Sequence, residues 1–594
     1  MTMINPRKPR SKATGLVAWA LLLCALVFSA AAEQPQNAPV FPLDQLQPGM
    51  KGEVWTVFKG REPEPFAVQV TGVLRNVLGP GKNMILCELT DPRVQSMGAV
   101  AGMSGSPLYI DGRIVGVLSY QIQRFETVRY AGFTPINDML ELSTLPAGRD
   151  ALVPIPVKGG TRAAPAGELE PLTPAFSAGG LSPQVAALIA PQFEALGLSF
   201  NALGGSDGGS STVPAATTPS LQPGGVVAVA LAMGDITIAG TGTVSHVDGS
   251  HILAFGHPMM SLGATELPMA SAEVVTILPS QLNSIKVTNT GGIIGAFSQD
   301  RLSGIYGEIG RQPAMVPVEI NFPTRQNRKS LHFSVVRHEQ VLPAVAAAGL
   351  AQAVSGSNES GFTRGFRVTT TVNFPGSAPV QLSQIYPGPQ GFNPGLTDFV
   401  GNLSLWLFNP YERVFPEQIR FSVEDTPDTP QGSVELFQVS RREAAPGDHL
   451  DLGLGWRGYQ RPVSFESLGL DIPRSWAGKD LEVIVTTGPS LDELTGRTHT
   501  VPIAQLRSFE EYISALREFR QADGLYVAVV EKARLLTDQR ATTRDMPGSL
   551  ERIARSADEA RFQRRDALTP LWEKRILPGT LFNILLRRPL SITD

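Results

Sequence analysis

The sequence predicts a mainly β protein: two small β-lobes separated by a linker, followed by a β-sandwich module and short helices. Three observations carry this. Gly and Pro number 59 and 48 of 594 residues, which favours short strands and frequent turns over long helices. Apolar runs recur with turn dipeptides between them. Asp111-Gly112 separates Leu108–Ile110 from Ile114–Tyr120, and Asp248-Gly249 separates Thr237–Val247 from Ile252–Phe255. Asp-Gly between alternating apolar runs is a strong short-range hairpin signal. Between the two blocks lies GGSDGGSSTVPAATTPSLQPGG, the composition of a flexible linker.

The N-terminus reads as a secretion signal, residues 1–32. Arg7, Lys8, Arg10 and Lys12 form a basic head, Gly15–Phe28 is apolar, and Ala30-Ala31-Ala32 is a small-residue cleavage site. The expected location is therefore secreted or periplasmic, with membrane contact only through this segment if it is uncleaved. The apolar run is shorter than the ~20 residues a spanning helix needs. Loss of the segment leaves 46 basic against 54 acidic residues, a net −8. That sign argues against nucleic acid or anionic membrane as partners. Only Cys87 would remain, so no intrachain disulfide is expected.

Residues 33–150 form the first lobe, with strands expected at Val54–Phe58, Phe66–Leu74 and Met84–Leu89 ahead of the Asp111-Gly112 hairpin. Residues 151–222 are the linker. Within it Ser182-Pro183 has the form of a helix start, and a short helix to Leu196 is expected. Residues 223–335 form the second lobe, beginning with the strand Val226–Met233. Residues 336–430 read as a mixed α/β extension, with an Ala-rich helix at Gln340–Val354 and a strand at Phe366–Phe374. Residues 431–500 read as the sandwich, from strands at Ser433–Ser440, Leu450–Trp456 and Leu481–Thr487. In 501–594, Ser508 and Glu511 form a capping box ahead of a helical apolar stripe, and 535–570 is charge-rich, read as solvated helix or loop.

The stretch GMSGSPLYIDGRIVGVLSY, Gly102–Tyr120, puts a hydroxyl on a bare loop before a hairpin. Nucleophilic serine catalysis needs an exposed hydroxyl on a tight turn, amides aimed at the developing oxyanion, and a base. Ser104 meets the first need, and Gly102 lets its own N–H and that of Ser104 converge. The competing reading is a turn of small residues. Of seven histidines, His257 stands apart, held between Gly256 and Pro258 at the end of an apolar run. His246, His251, His332 and His338 fall in or beside strands, where a structural role is the plain expectation. Asp91, in Thr90-Asp91-Pro92, is either a turn starter or an acid that orients an imidazole. Ser106 and Cys87 are spare nucleophiles. Ser106 is expected to bond locally and Cys87 to be buried and inert. No zincin, P-loop or CxxC pattern is present, so no cofactor or metal is expected.

LTDPRVQSMGAVAGMSGSPLYIDGRIVGVLSY, with the upstream VWTVFKGREPEPFAVQVTGV, resembles the serine-bearing part of the SpoIVB peptidases. GTGTVSHVDGSHILAFGHP and GAFSQDRLSGIYGEIG resemble the histidine-bearing part. Together the matching stretches cover residues 48–140 and 235–325. The resemblance implies a two-lobed chymotrypsin-like β-barrel and a serine endopeptidase. Ser104 would be nucleophile, His257 base and Asp91 the acid, with Gly102 and Ser104 amides as oxyanion hole. It also implies a protein or peptide substrate, and restricted or signalling proteolysis with possible self-cleavage. The lobe order departs from the family: the serine lobe comes first and His257 follows 153 positions later. The rival is a non-catalytic envelope protein on the same β scaffold, with the sandwich binding an envelope partner.

Overall fold

Two closed rings of β-strands dominate the computed structural model. It describes residues 34–594 except 36, 123–127, 147–168, 173, 175, 195, 197, 199, 202–203, 207–220, 281–283, 357–364, 408–410, 427, 496–507, 538–541, 545–546 and 558–562. The segment expected to be a secretion signal and most of the expected linker lie outside the described residues.

The first ring contains β1 (Lys51–Thr56), β2 (Glu64–Gly79), β3 (Lys82–Leu89), β4 (Pro107–Ile110), β5 (Arg113–Ile122) and β6 (Tyr130–Pro135). They are ordered β4-β1-β2-β3-β6-β5, and β4 pairs back to β5, closing the barrel. The hairpin turn is made at Asp111 and Gly112, both at positive φ (50° and 70°), as the two-residue turn requires. Inward residues such as Val54, Val68, Ile85, Leu108 and Phe133 fill the interior. A short strand, β7 (Leu169–Pro171), extends this sheet along β5.

The next strands are β8 (Phe176–Gly179), β9 (Phe200–Asn201) and β10 (Gly205–Ser206), then β11 (Val226–Gly234), β12 (Thr237–Asp248), β13 (His251–Ala254), β14 (Gly263–Leu278), β15 (Ile285–Arg301) and β16 (Gly304–Ile309). The order β11-β14-β15-β16-β13-β12, with β12 pairing back to β11, closes a second six-stranded ring. The two-lobed β-barrel expectation therefore holds.

Two segments are more tightly woven in than their composition suggests. Within 151–222, β8 pairs with β12, and the helix Pro183–Glu194 buries Val185, Ile189 and Phe193 in the main core. Ser182 caps that helix, as expected, accepting from the Val185 amide. The extension is continuous with the second barrel. β17 (Met315–Pro323), β18 (Arg328–Val336), β19 (Phe366–Asn373), β20 (Val380–Tyr386) and β21 (Gln418–Asp425) lengthen its sheet through the β11–β18 pairing. The Ala-rich helix Val341–Ala351 is buried against them.

At the C-terminal end, three strands (Gly432–Val439, His449–Gly458, Val463–Asp471) share a core with a six-stranded sheet. That sheet includes Asp480–Thr486, Leu525–Thr537, Gln563–Ile576 and Leu585–Ile592, so the sandwich extends to the end of the chain. The charge-rich stretch 535–570 contains an exposed helix, Gly548–Ala557, as expected, but it also contributes the first half of the strand Gln563–Ile576. The capping box holds: Ser508 Oγ accepts from the Glu511 amide, and Phe509, Tyr512, Ile513 and Leu516 are buried.

Candidate active site

Ser104 lies in the loop that enters β4, and His257 follows β13. The serine loop meets the second barrel through specific bonds. Thr243 N donates to Ser104 O (2.8 Å), Thr243 Oγ1 to Gly102 O (3.1 Å) and Ser245 Oγ to Gly105 O (2.9 Å). In the other direction, Thr134 Oγ1 of β6 donates to Gly256 O (2.7 Å). Two glycines allow this approach. A Cβ on Gly105 would fall 2.2 Å from Thr243 O and 2.5 Å from Phe255 N. One on Gly256 would fall 2.3 Å from Ser119 Oγ. Both glycines have positive φ, and Phe255 also adopts φ 70°. A left-handed Phe is strained backbone of the kind found at functional turns. Among the described residues the His257 ring makes no hydrogen bond to Ser104 Oγ.

Ser104 and His257 are fully buried. Ser104 Oγ and His257 Nε2 are among the few buried side-chain polar atoms with no hydrogen-bond partner among the described residues. Such atoms are costly, so each calls for an explanation. His257 Nδ1 lies 2.8 Å from Pro258 O. A carbonyl only accepts, so Nδ1 carries the proton and Nε2 presents its lone pair. Burial pushes the His257 pKa down to about 4, against the opposing effect of the Pro258 and Leu172 carbonyls. The ring is neutral at physiological pH.

The serine loop's amides differ from one another. Ala101 N donates to Ser284 O, Met103 N to Val100 O, Gly105 N to Leu118 O and Ser106 N to Met103 O. The amides of Gly102 and Ser104 donate to nothing among the described residues. These are the two amides that the sequence marks for the oxyanion.

Asp91 requires correction. Its carboxylate accepts from Arg93 N (2.9 Å), Nε (3.2 Å) and Nη2 (3.1 Å). It caps the helix Pro92–Met97, and Arg93 holds its pKa below the usual carboxylate range against the opposing effect of partial burial. Since His257 Nδ1 bonds the Pro258 carbonyl, the hydrogen bond expected between Asp91 and His257 is absent. Asp followed by Pro at the first helical position is an N-cap signature, and here it takes that role. Ser106 bonds locally to Met103 O (2.6 Å). Cys87 is buried, its thiol pKa pushed up to about 12 by desolvation, which leaves it an inert thiol.

Two residues beside the site escape sequence reasoning. Asp300 is fully buried and accepts the amides of Met259 (2.7 Å), Met260 (2.8 Å) and Leu262 (3.1 Å), which fixes the turn after His257-Pro258. Desolvation nonetheless raises its pKa. Lys286 lies on β15, and its amide bonds Ala101 O (3.0 Å). Its stem runs beside Gly102, where an added Cβ would come 3.2 Å from Lys286 Cβ. Its Nζ donates to Thr56 Oγ1 (2.9 Å). Burial pushes its pKa down to about 7. Neither residue sits in a pattern that stands out from ordinary strand sequence.

At the seam of the two barrels the described residues thus leave Ser104 Oγ, His257 Nε2 and the amides of Gly102 and Ser104 without hydrogen-bond partners. Residues 28–140, which hold the first barrel, match the family model described as SpoIVB peptidase S55. No match was found among curated proteins or among solved structures. Among the described residues no helix is long and apolar enough to cross a membrane.

Proposed function

We propose that this chain is an exported serine endopeptidase whose catalytic pair spans the two barrels. The observation that carries the reading is the coincidence of Ser104 Oγ and His257 Nε2, both buried and unpartnered, with the free amides of Gly102 and Ser104. Ser104 Oγ adds to the substrate carbonyl while its proton passes to His257 Nε2. The two amides receive the oxyanion. The C–N bond then breaks and the leaving amine takes the proton from His257. Water, activated by the same nitrogen, hydrolyses the ester. Pro258 O holds the tautomer that an acid usually holds. A carbonyl stabilises the imidazolium less than a carboxylate does, so a low turnover fits restricted rather than digestive proteolysis. Self-cleavage belongs to the same reading. Export rests on the basic and apolar N-terminal pattern together with the family.

Full burial of both side chains favours, for the resting chain, the rival of a non-catalytic envelope scaffold. A fluorophosphonate probe separates the two. The endopeptidase reading expects an adduct on Ser104, lost in Ser104→Ala and His257→Gln and retained in Ser106→Ala. Absence of any adduct on folded protein supports the scaffold.

A further inference from the structure

A piece of the chain itself pairs beside the serine loop. β7 runs antiparallel to the end of β5, with Leu169 opposite Ile122, Glu170 opposite Gln121 and Pro171 opposite Tyr120. The next residue, Leu172, donates its amide to Ser119 O (2.8 Å). At the adjoining position on β5, Leu118 O accepts from Gly105 N (2.7 Å) and Leu118 N donates to Ser106 O (2.9 Å). β5 therefore pairs first with the nucleophile loop and then, without a gap, with residues 172 back to 169. The direction is informative. The visiting strand arrives at the serine loop with its C-terminal end, so a carbonyl is delivered there. The Leu172 carbonyl lies against the His257 ring and favours its protonated form. The Leu172 side chain is buried in the core that also holds Val100, Met103 and Leu118. Pro171, on the opposite face, is exposed, as strand alternation requires.

Resting on the endopeptidase reading, we infer that Leu169–Leu172 is a built-in inhibitory strand, seated on the Ser119–Ile122 edge where substrate must pair. The substrate is an extended peptide added as a strand. Its residue bearing the attacked carbonyl carries a leucine-sized apolar side chain. Residues Leu169–Leu172 are the resident occupant of that edge, and substrate enters by displacing them.

The test uses full-length protein and three peptidyl phosphonates ending in Glu-Pro-Leu, Glu-Pro-Lys and Glu-Pro-Glu, with a generic fluorophosphonate alongside. The Leu probe should label Ser104 at least tenfold faster than the other two. Leu172→Gly, or Leu172→Ala if the first variant folds poorly by circular dichroism, should speed labelling by the Leu probe at least tenfold. Equal rates for the three probes, or rates indifferent to Leu172, overturn the inference. Failure of the generic probe as well overturns the hydrolase reading instead. A second measurement stands apart from reactivity. In a Ser104→Ala background, a fluorescein-labelled Gly-Glu-Leu-Glu-Pro-Leu peptide should bind the Leu172→Gly or Leu172→Ala form and not the parent. Lack of binding to the substituted forms removes the edge from consideration whatever Ser104 does.

Discussion

Replacing Lys286 with Met should stabilise the protein, and by an amount that depends on pH. The side-chain amine is buried, with one hydrogen-bond partner among the described residues, Thr56 Oγ1. Its pKa falls from 10.5 in the unfolded chain to about 7 in the fold. Between those values the unfolded chain holds a proton that the folded chain lacks, so the parent gains stability as pH rises from 7 to 10.5. At pH 7.5 the parent must discharge the lysine on folding, which costs roughly 4 kcal/mol at about 1.4 kcal/mol per pH unit. Met keeps the unbranched stem beside Gly102 and carries no charge. It forfeits the bond to Thr56, about 1 kcal/mol. The net expectation is a gain of about 3 kcal/mol at pH 7.5, vanishing or slightly reversing near pH 10.5. Urea unfolding of parent and variant at pH 6, 7.5 and 10 measures it. A difference that does not change with pH refutes the assignment of a discharged lysine. Fluorophosphonate labelling of Ser104 should survive the substitution. Its loss would move the role of base from His257 to Lys286.

Other outcomes follow from the same geometry. Gly105→Ala should destabilise the protein by several kcal/mol, because the new Cβ would fall 2.2 Å from the Thr243 carbonyl at a backbone with φ 93°. A drop in urea midpoint of under 0.3 M would contradict that docking. His257 and His338 both titrate near 4 in the fold against 6.5 unfolded, so the unfolded chain binds more protons between those values. Stability should therefore fall as pH drops from 6.5 towards 4, by roughly 3 kcal/mol per histidine. His338→Gln should remove its share in acid denaturation curves. Asp91→Asn should leave the rate of Ser104 labelling within about twofold, since Asp91 bonds Arg93. Asp300→Asn should slow it at least tenfold by loosening the turn after His257. The reverse pattern would restore Asp91 as the acid of the site.

Much of the architecture is legible in the residues because it is local. Asp111-Gly112 and Asp248-Gly249 mark their hairpins. Val226–Gly234 and Thr237–Asp248 extend the runs read from alternation by a residue each. Ser104 and His257 stand out because glycine is needed where two backbones nearly touch, and that need is visible as Gly105 and Gly256. What stays hidden is non-local. The joining of the extension to the second barrel depends on the antiparallel pairing of β11 with β18, about a hundred residues apart, and no short window encodes it. The strand Gln563–Ile576 hides behind its charges, since a strand at a sheet edge need bury only part of one face. Asp91 misleads because one Asp-Pro-Arg pattern serves equally as helix cap and as triad acid. Asp300 acts through the turn amides of Met259, Met260 and Leu262, a role that leaves no sequence signature.

The most direct measurement is the pH dependence of phosphonylation at Ser104, with the adduct mapped by mass spectrometry. The rate should rise as His257 loses its proton, with a midpoint near 4 to 5, and then stay flat through pH 8. His257→Gln should abolish the pH-dependent rate. An adduct on another residue, or a Ser104 rate unchanged by His257→Gln, would contradict a catalytic pair formed across the two barrels.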